Sequence, residues 1–105
     1  MPSAHTLLLH HPGPRPGFCR VAEHLWGAGC NVDSDGDSRT PDDEQWTELT
    51  LRLRDSSEQR LDIDPLSQAP LVLRIRASEA ELGTRAAHFI QSVAGGILQT
   101  HVTDR

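Results

Sequence analysis

The chain has 105 residues, enough for one domain with a single two-layer core. Apolar residues make up 36% and aromatics 4%, so that core is aliphatic and thin. Against 15 acids stand 10 bases, every one arginine, and a net charge of -5 argues against non-specific nucleic-acid binding, which needs a basic surface to displace counterions. No apolar run approaches the roughly 18 residues of a membrane span. The opening Met1-Pro2-Ser3-Ala4-His5 lacks the basic region and apolar stretch of a secretory signal. A cytoplasmic location without membrane or nucleic-acid partners is the expectation.

In chain order, Thr6-Leu7-Leu8-Leu9-His10 is a short apolar run that stops at His11-Pro12-Gly13-Pro14-Arg15-Pro16-Gly17, where proline and glycine forbid regular structure. Phe18, Val21, Ala22 and Leu25 recur at helical spacing and predict one buried face. Gly27 and Gly29 close that helix, and Cys30-Asn31-Val32 starts a second strand. The helical pattern between Cys19 and Cys30 holds them roughly 16 Å apart at ~1.5 Å per residue. A disulfide needs Cα atoms within about 7 Å, so both are expected to be reduced, mainly buried thiols. No second cysteine pair completes a zinc site.

From Asp33 to Glu48 the composition turns acidic: Asp33, Asp35, Asp37, Asp42, Asp43, Glu44 and Glu48 face one base, Arg39. With Gly36 and Pro41 inside it, the stretch at about 33–46 reads as an exposed, flexible connection. Leu49, Leu51 and Leu53 then alternate with Thr50, Arg52 and Arg54, the period of a strand with one buried face. Leu61-Asp62-Ile63-Asp64 alternates until Pro65, and Leu71-Val72-Leu73-Arg74-Ile75-Arg76 repeats the pattern. Ser78-Glu79-Ala80-Glu81 reads as a capping box. Leu82, Ala86, Phe89, Ile90 and Val93 supply a second apolar helix stripe, Gly95-Gly96 ends it, and Ile97 to Val102 returns as a last strand before a frayed end. Two helices on one face of a mostly antiparallel sheet bury these stripes. The predicted fold is a single α+β domain, a ferredoxin-like sandwich with an elaborated middle.

Asp33, Asp35, Asp37 and Glu44 fall at positions 1, 3, 5 and 12 of a calcium-loop pattern. Ser38 stands where its sharp turn requires glycine, Pro41 occupies position 9, and a strand follows where the motif needs a helix. A solvated acidic loop without metal is therefore the expectation. The 6 histidines, His10-His11 among them, show no ligand spacing, and no Gly-x-Ser-x-Gly elbow is present. Neither enzymatic activity nor a cofactor is expected. Arg52, Arg54, Arg74 and Arg76 form a guanidinium ladder if their strands pair, keeping an open sheet face soluble or meeting an acidic partner. Arg15 and Gly17, at the entry to the first helix, offer either plain turn chemistry or free amides for a carboxylate or phosphate.

The run from His11 to Val32 resembles the start of an ACT domain: Gly13-Pro14-Arg15-Pro16-Gly17, an amphipathic helix, then Gly29-Cys30-Asn31-Val32. The aspartate usual before the arginine is missing. The resemblance implies a ferredoxin-like fold, dimerisation, and an amino acid or other small carboxylate sensed near Arg15, Gly17, Phe18 and Asn31. The segment from Trp46-Thr47-Glu48-Leu49-Thr50 through Leu71–Ala77 and Ala86–Ile90 to Gly95-Gly96 resembles, in general pattern, small bacterial immunity proteins. Those are cytosolic and non-enzymatic and neutralise a cognate toxin domain by occluding it. On this reading Asp33, Asp35, Asp37, Asp42, Asp43 and Glu44 attract a basic toxin domain, and Trp46 anchors it. In the plainer alternative, Trp46 is a core residue and the acids solubilise a loop.

Overall fold

The computed structural model describes residues 6–100, with the side chain of Ser57 left aside. His5, His101, the end of the last predicted strand and the expected frayed end lie outside them. The elements are β1 (Thr6–His10), α1 (Phe18–Trp26), β2 (Val32–Gly36), β3 (Leu49–Leu53), β4 (Ser56–Gln68), β5 (Leu71–Ala77), α2 (Ala80–Ala94) and β6 (Ile97–Gln99). They form a six-stranded sheet in the order β2-β3-β4-β5-β1-β6, with every neighbouring pair antiparallel. Both helices pack on one face of this sheet, giving the ferredoxin-like α+β architecture. The β5–α2–β6 crossover spans one strand, β1, whereas β1–α1–β2 passes over β5, β4 and β3. The β2–β3–β4 meander is the elaborated middle.

Alternation in the strands builds the core directly. Leu49, Ile63, Ile75 and Leu7 share one row across the sheet, and Leu51, Leu61 and Ala77 the next. Against them pack Val21, Ala22 and Leu25 of α1 and Leu82, Ala86, Ala87 and Ile90 of α2. Each fully buried Leu or Ile side chain contributes roughly 1.5–3 kcal/mol. Val93, assigned by its spacing to the buried stripe, is 40% exposed, and Phe89 is half-buried. α2 comes close to the sheet at Gly83, where a Cβ would lie 3.3 Å from Ala77 Cβ, and Ala87 is buried as well.

Several local expectations are corrected. Pro65 does not stop the fourth strand: β4 runs on to Gln68. Pairing with β3 ends at Ile63, so Pro65 interrupts no ladder on that side, and a bulge between Pro65 and Ser67 absorbs its geometry. Ser78 is not a helix cap. Glu79 occupies the N-cap without a side-chain hydrogen bond, while Ser78 Oγ accepts from the Arg60 amide at 3.0 Å and ties β4 to the entry of α2. Residues 33–36 are not a connection but strand β2, in register with β3 from Val32↔Leu53 to Gly36↔Leu49. Cys19 and Cys30 are free and half-buried.

Gly36 has φ 132°, and a Cβ there would run into the Glu48 carbonyl; Gly27 has φ 97° with open space around it. Both positions carry a backbone cost on the order of 1–3 kcal/mol for any other residue. Gly36→Ala adds a collision with β3 and should lose at least twice as much stability in urea denaturation as Gly27→Ala. Equal losses would mean that the β2–β3 ribbon yields freely.

Candidate interaction surface

The proline-rich turn after β1 and the acidic connection between β2 and β3 are clasped together. Arg15 is 6% exposed. Its amide donates to the Glu44 carbonyl, its Nε to the Trp46 carbonyl and its Nη1 to the Gly13 carbonyl, each at 2.9 Å. Trp46 answers by donating from Nε1 to the Pro16 carbonyl at 2.8 Å, with its ring wholly buried. At Gly17 a Cβ would lie 2.5 Å from Asp42 Cα, so the missing side chain is what lets the connection press against the helix entry. The amide of Cys19, in the first turn of α1, donates to the Pro41 carbonyl at 3.1 Å.

The connection is also tied to itself. Asp37 Oδ1 accepts from the amides of Thr47 at 2.8 Å and Glu48 at 2.9 Å, and Oδ2 accepts from the Thr47 hydroxyl at 2.7 Å. Asp43 accepts from the amides of Arg39 and Gln45, both at 2.9 Å. Burial pushes the Asp37 carboxyl up, and the hydrogen bonds from Glu48 and Thr47 more than reverse this, holding it below the ordinary carboxylate value. Amides of Arg39 and Gln45 lower Asp43 in the same direction. Burial lowers Arg15, opposed by the nearby charges of Asp37 and Asp43.

This geometry reassigns several predicted site residues. Trp46 is a core residue and presents nothing to a partner, which is the plainer of the two readings above. Asp37 and Asp43 spend their oxygens on the connection's own amides and on the Thr47 hydroxyl. Asp33 is held by Arg54 at 2.7 Å. Asp35, Asp42 and Glu44 remain exposed, joined by Glu48, and no arginine or histidine lies within ion-pairing distance of these four among the described residues. Asp35 bonds the amide of Gly36, and Asp42 accepts from the Thr40 hydroxyl. For the alternative ligand site, Arg15 points inward, Gly17 is covered, Phe18 is partly buried against the core and Asn31 is exposed, its carbonyl taken by the Arg54 amide. A hollow of about 140 Å³ beside Phe18 is lined by Ser34, Asp35, Gly36 and Ser38, and includes none of the other three. Among the described residues no group of three or more His, Cys, Asp or Glu could hold a metal.

The sheet face opposite the helices is charged, but not as a ladder of arginines. β4 lies between β3 and β5 and inserts Asp62 and Asp64 among them. Asp62 stands in register between Thr50 and Arg76 and is bonded by Arg60 at 2.9 Å; Asp64 stands opposite Arg74, which bonds it through Nε and Nη2. The Arg74 hydrogen bonds hold Asp64 below the ordinary carboxylate value. No family model, curated protein or solved structure matches this chain. Among the described residues no helix is long and apolar enough to cross a membrane.

Two outcomes check the clasp. Arg15→Lys keeps the charge but loses the planar fork that reaches both carbonyls, and should cost about 1–3 kcal/mol in chemical denaturation for the buried acceptors left without a donor. Asp37 and Asp64 have native pKa values below their unfolded ones, so the stability they contribute is complete above the unfolded value of about 4. It is lost as pH falls through the lower native values. Asp37→Asn should therefore flatten the acid limb of a stability-against-pH curve below about pH 4. An unchanged acid limb would refute the role given to that carboxylate.

Proposed function

We propose that this chain is a non-enzymatic interaction protein that receives a basic protein partner on its β2 edge and β2–β3 connection. Its most concrete form is an immunity protein that occludes a cognate bacterial toxin. The supporting observation is the set Asp35 on β2 and Asp42, Glu44 and Glu48 on the connection that Arg15, Trp46 and Asp37 fix, all four exposed and without an ion-pairing base among the described residues. Concentrated carboxylates steer a basic partner and raise its association rate. A fixed presentation also avoids the ordering cost of a loop that rigidifies only on contact. The amino-acid-sensing alternative gains no support from the geometry, because the entry to α1 is filled by Pro41 and Asp42 of the same chain.

The test uses the protein recovered with this chain from its native cell. Stopped-flow association is measured for the wild type and for Asp35→Arg/Asp42→Arg/Glu44→Arg across a salt series. The expected result is an on-rate lowered about tenfold or more at low salt, with a flattened salt dependence. An unchanged rate places the contact elsewhere. The toxin form adds that co-expression of this chain restores growth to cells producing the recovered protein.

A further inference from the structure

We propose that the outer edge of β2 receives an extended, basic segment of the partner, which joins the sheet as an additional strand. This rests on the interaction reading above and specifies how the partner is held. The amide of Arg54 donates to the Asn31 carbonyl, and that of Asp37 to the Glu48 carbonyl. Residues 31 and 37 therefore turn their backbone groups toward β3, and by the two-residue alternation of an antiparallel pair so do 33 and 35. Val32, Ser34 and Gly36 turn theirs away from the sheet. The Gly36 amide is taken by Asp35 Oδ1 at 2.9 Å, which leaves the amides and carbonyls of Val32 and Ser34 for a new neighbour.

Charge selects that neighbour. Along the open face, one row reads Arg76, Asp62, Thr50, Asp35, so a basic side chain set opposite Asp35 adds a facing pair of opposite charges like that of Arg76 with Asp62. A second copy of this chain is the poor occupant: antiparallel pairing of two β2 edges about Ser34 sets Asp33 of each copy against Asp35 of the other. On the other face, the hollow beside Phe18 runs along Ser34 to Gly36, and the Ser38 hydroxyl near it is buried without a partner. The remaining edges are less suited to receive a strand. β6 is three residues long, and the part of β4 beyond β3 carries Pro65 and a bulge, features that block pairing.

The probe is a fluorescein-labelled nine-residue peptide of alternating valine and arginine, titrated at low ionic strength and followed by anisotropy. Its control is the same peptide N-methylated on two adjacent central residues, which keeps the charge and blocks both backbone edges. Saturable binding should weaken at least tenfold with the methylated peptide. It should weaken similarly in Ser34→Pro, which removes the outward amide, and in Asp35→Arg, while Ser34→Ala binds as wild type. The Ser34 amide should also exchange more slowly with solvent in the complex. If Ser34→Pro fails to fold by circular dichroism, the two peptides against the wild-type chain still decide. Equal binding of both peptides, lost in high salt, overturns strand addition and leaves the acidic surface intact as a contact. Absence of binding to either peptide overturns strand addition as well, while charge reversal against the native partner tests the broader reading separately.

Discussion

Two side chains exchanging hydrogen bonds across two loops determine what the acidic part of this molecule is. Arg15 gives its guanidinium to the carbonyl of Trp46, and Trp46 gives its indole N–H to the carbonyl of Pro16. Both are buried, so each bond forms away from competing water, and removing either partner would strand a polar group in the core. Burying a guanidinium is costly, and Asp37 and Asp43 offset part of that cost through charge alone, at a distance. The same two carboxylates shape the connection by accepting its amides. Charge compensation and loop geometry are therefore one arrangement: the acids that partly offset the burial of Arg15 are the acids that fold the segment around it.

β4 plays the matching part on the open sheet face. Its thirteen residues reach from the β3 pairing to the β5 pairing, and its two aspartates enter a surface that would otherwise concentrate arginine. These pairs are partly exposed, with Arg74 and Asp64 side chains 36% and 29% accessible, so each contributes little to stability alone. Their larger consequence is distributional. Arg60, Arg74 and Arg76 are engaged by Asp62 and Asp64, and Arg54 by Asp33, while Asp35, Asp42, Glu44 and Glu48, on β2 and the connection that follows it, make no ion pair among the described residues.

The fold was legible wherever burial followed a period. Leu49, Leu51 and Leu53, the Leu71–Ala77 alternation and the α1 stripe each name their inward face, because solvent exclusion acts on every second or every third to fourth side chain. Composition misled in the acidic stretch. Asp33 and Asp35 read as a mobile connection because charge density lowers hydrophobicity, yet residues 32–36 need only a backbone partner to become an edge strand, and β3 supplies it. The clasp was illegible for another reason: Arg15 and Trp46 lie 31 positions apart, and no local period links them. Proline at position 65 misled because its effect depends on whether a neighbouring strand needs the missing amide, and that is set by the length of β3.

The separation of the acids into two groups gives the interaction reading its physical content. Asp33, Asp37, Asp43, Asp62 and Asp64 each accept from an arginine side chain or from backbone amides within the chain, and so stabilise it. Asp35, Asp42, Glu44 and Glu48 sit on the framework those bonds create, exposed and without an ion pair among the described residues. Under the proposed reading, carboxylates left unneutralised in this way are what steers a basic partner. Because Trp46 lies in the core, it gives this surface no aromatic anchor. The proposed interaction therefore relies on backbone pairing or on side chains that the partner provides for most of its lasting hold. The open edge of β2, which carries Asp35, offers the first of these, and so the proposal joins charge and edge in one surface rather than two.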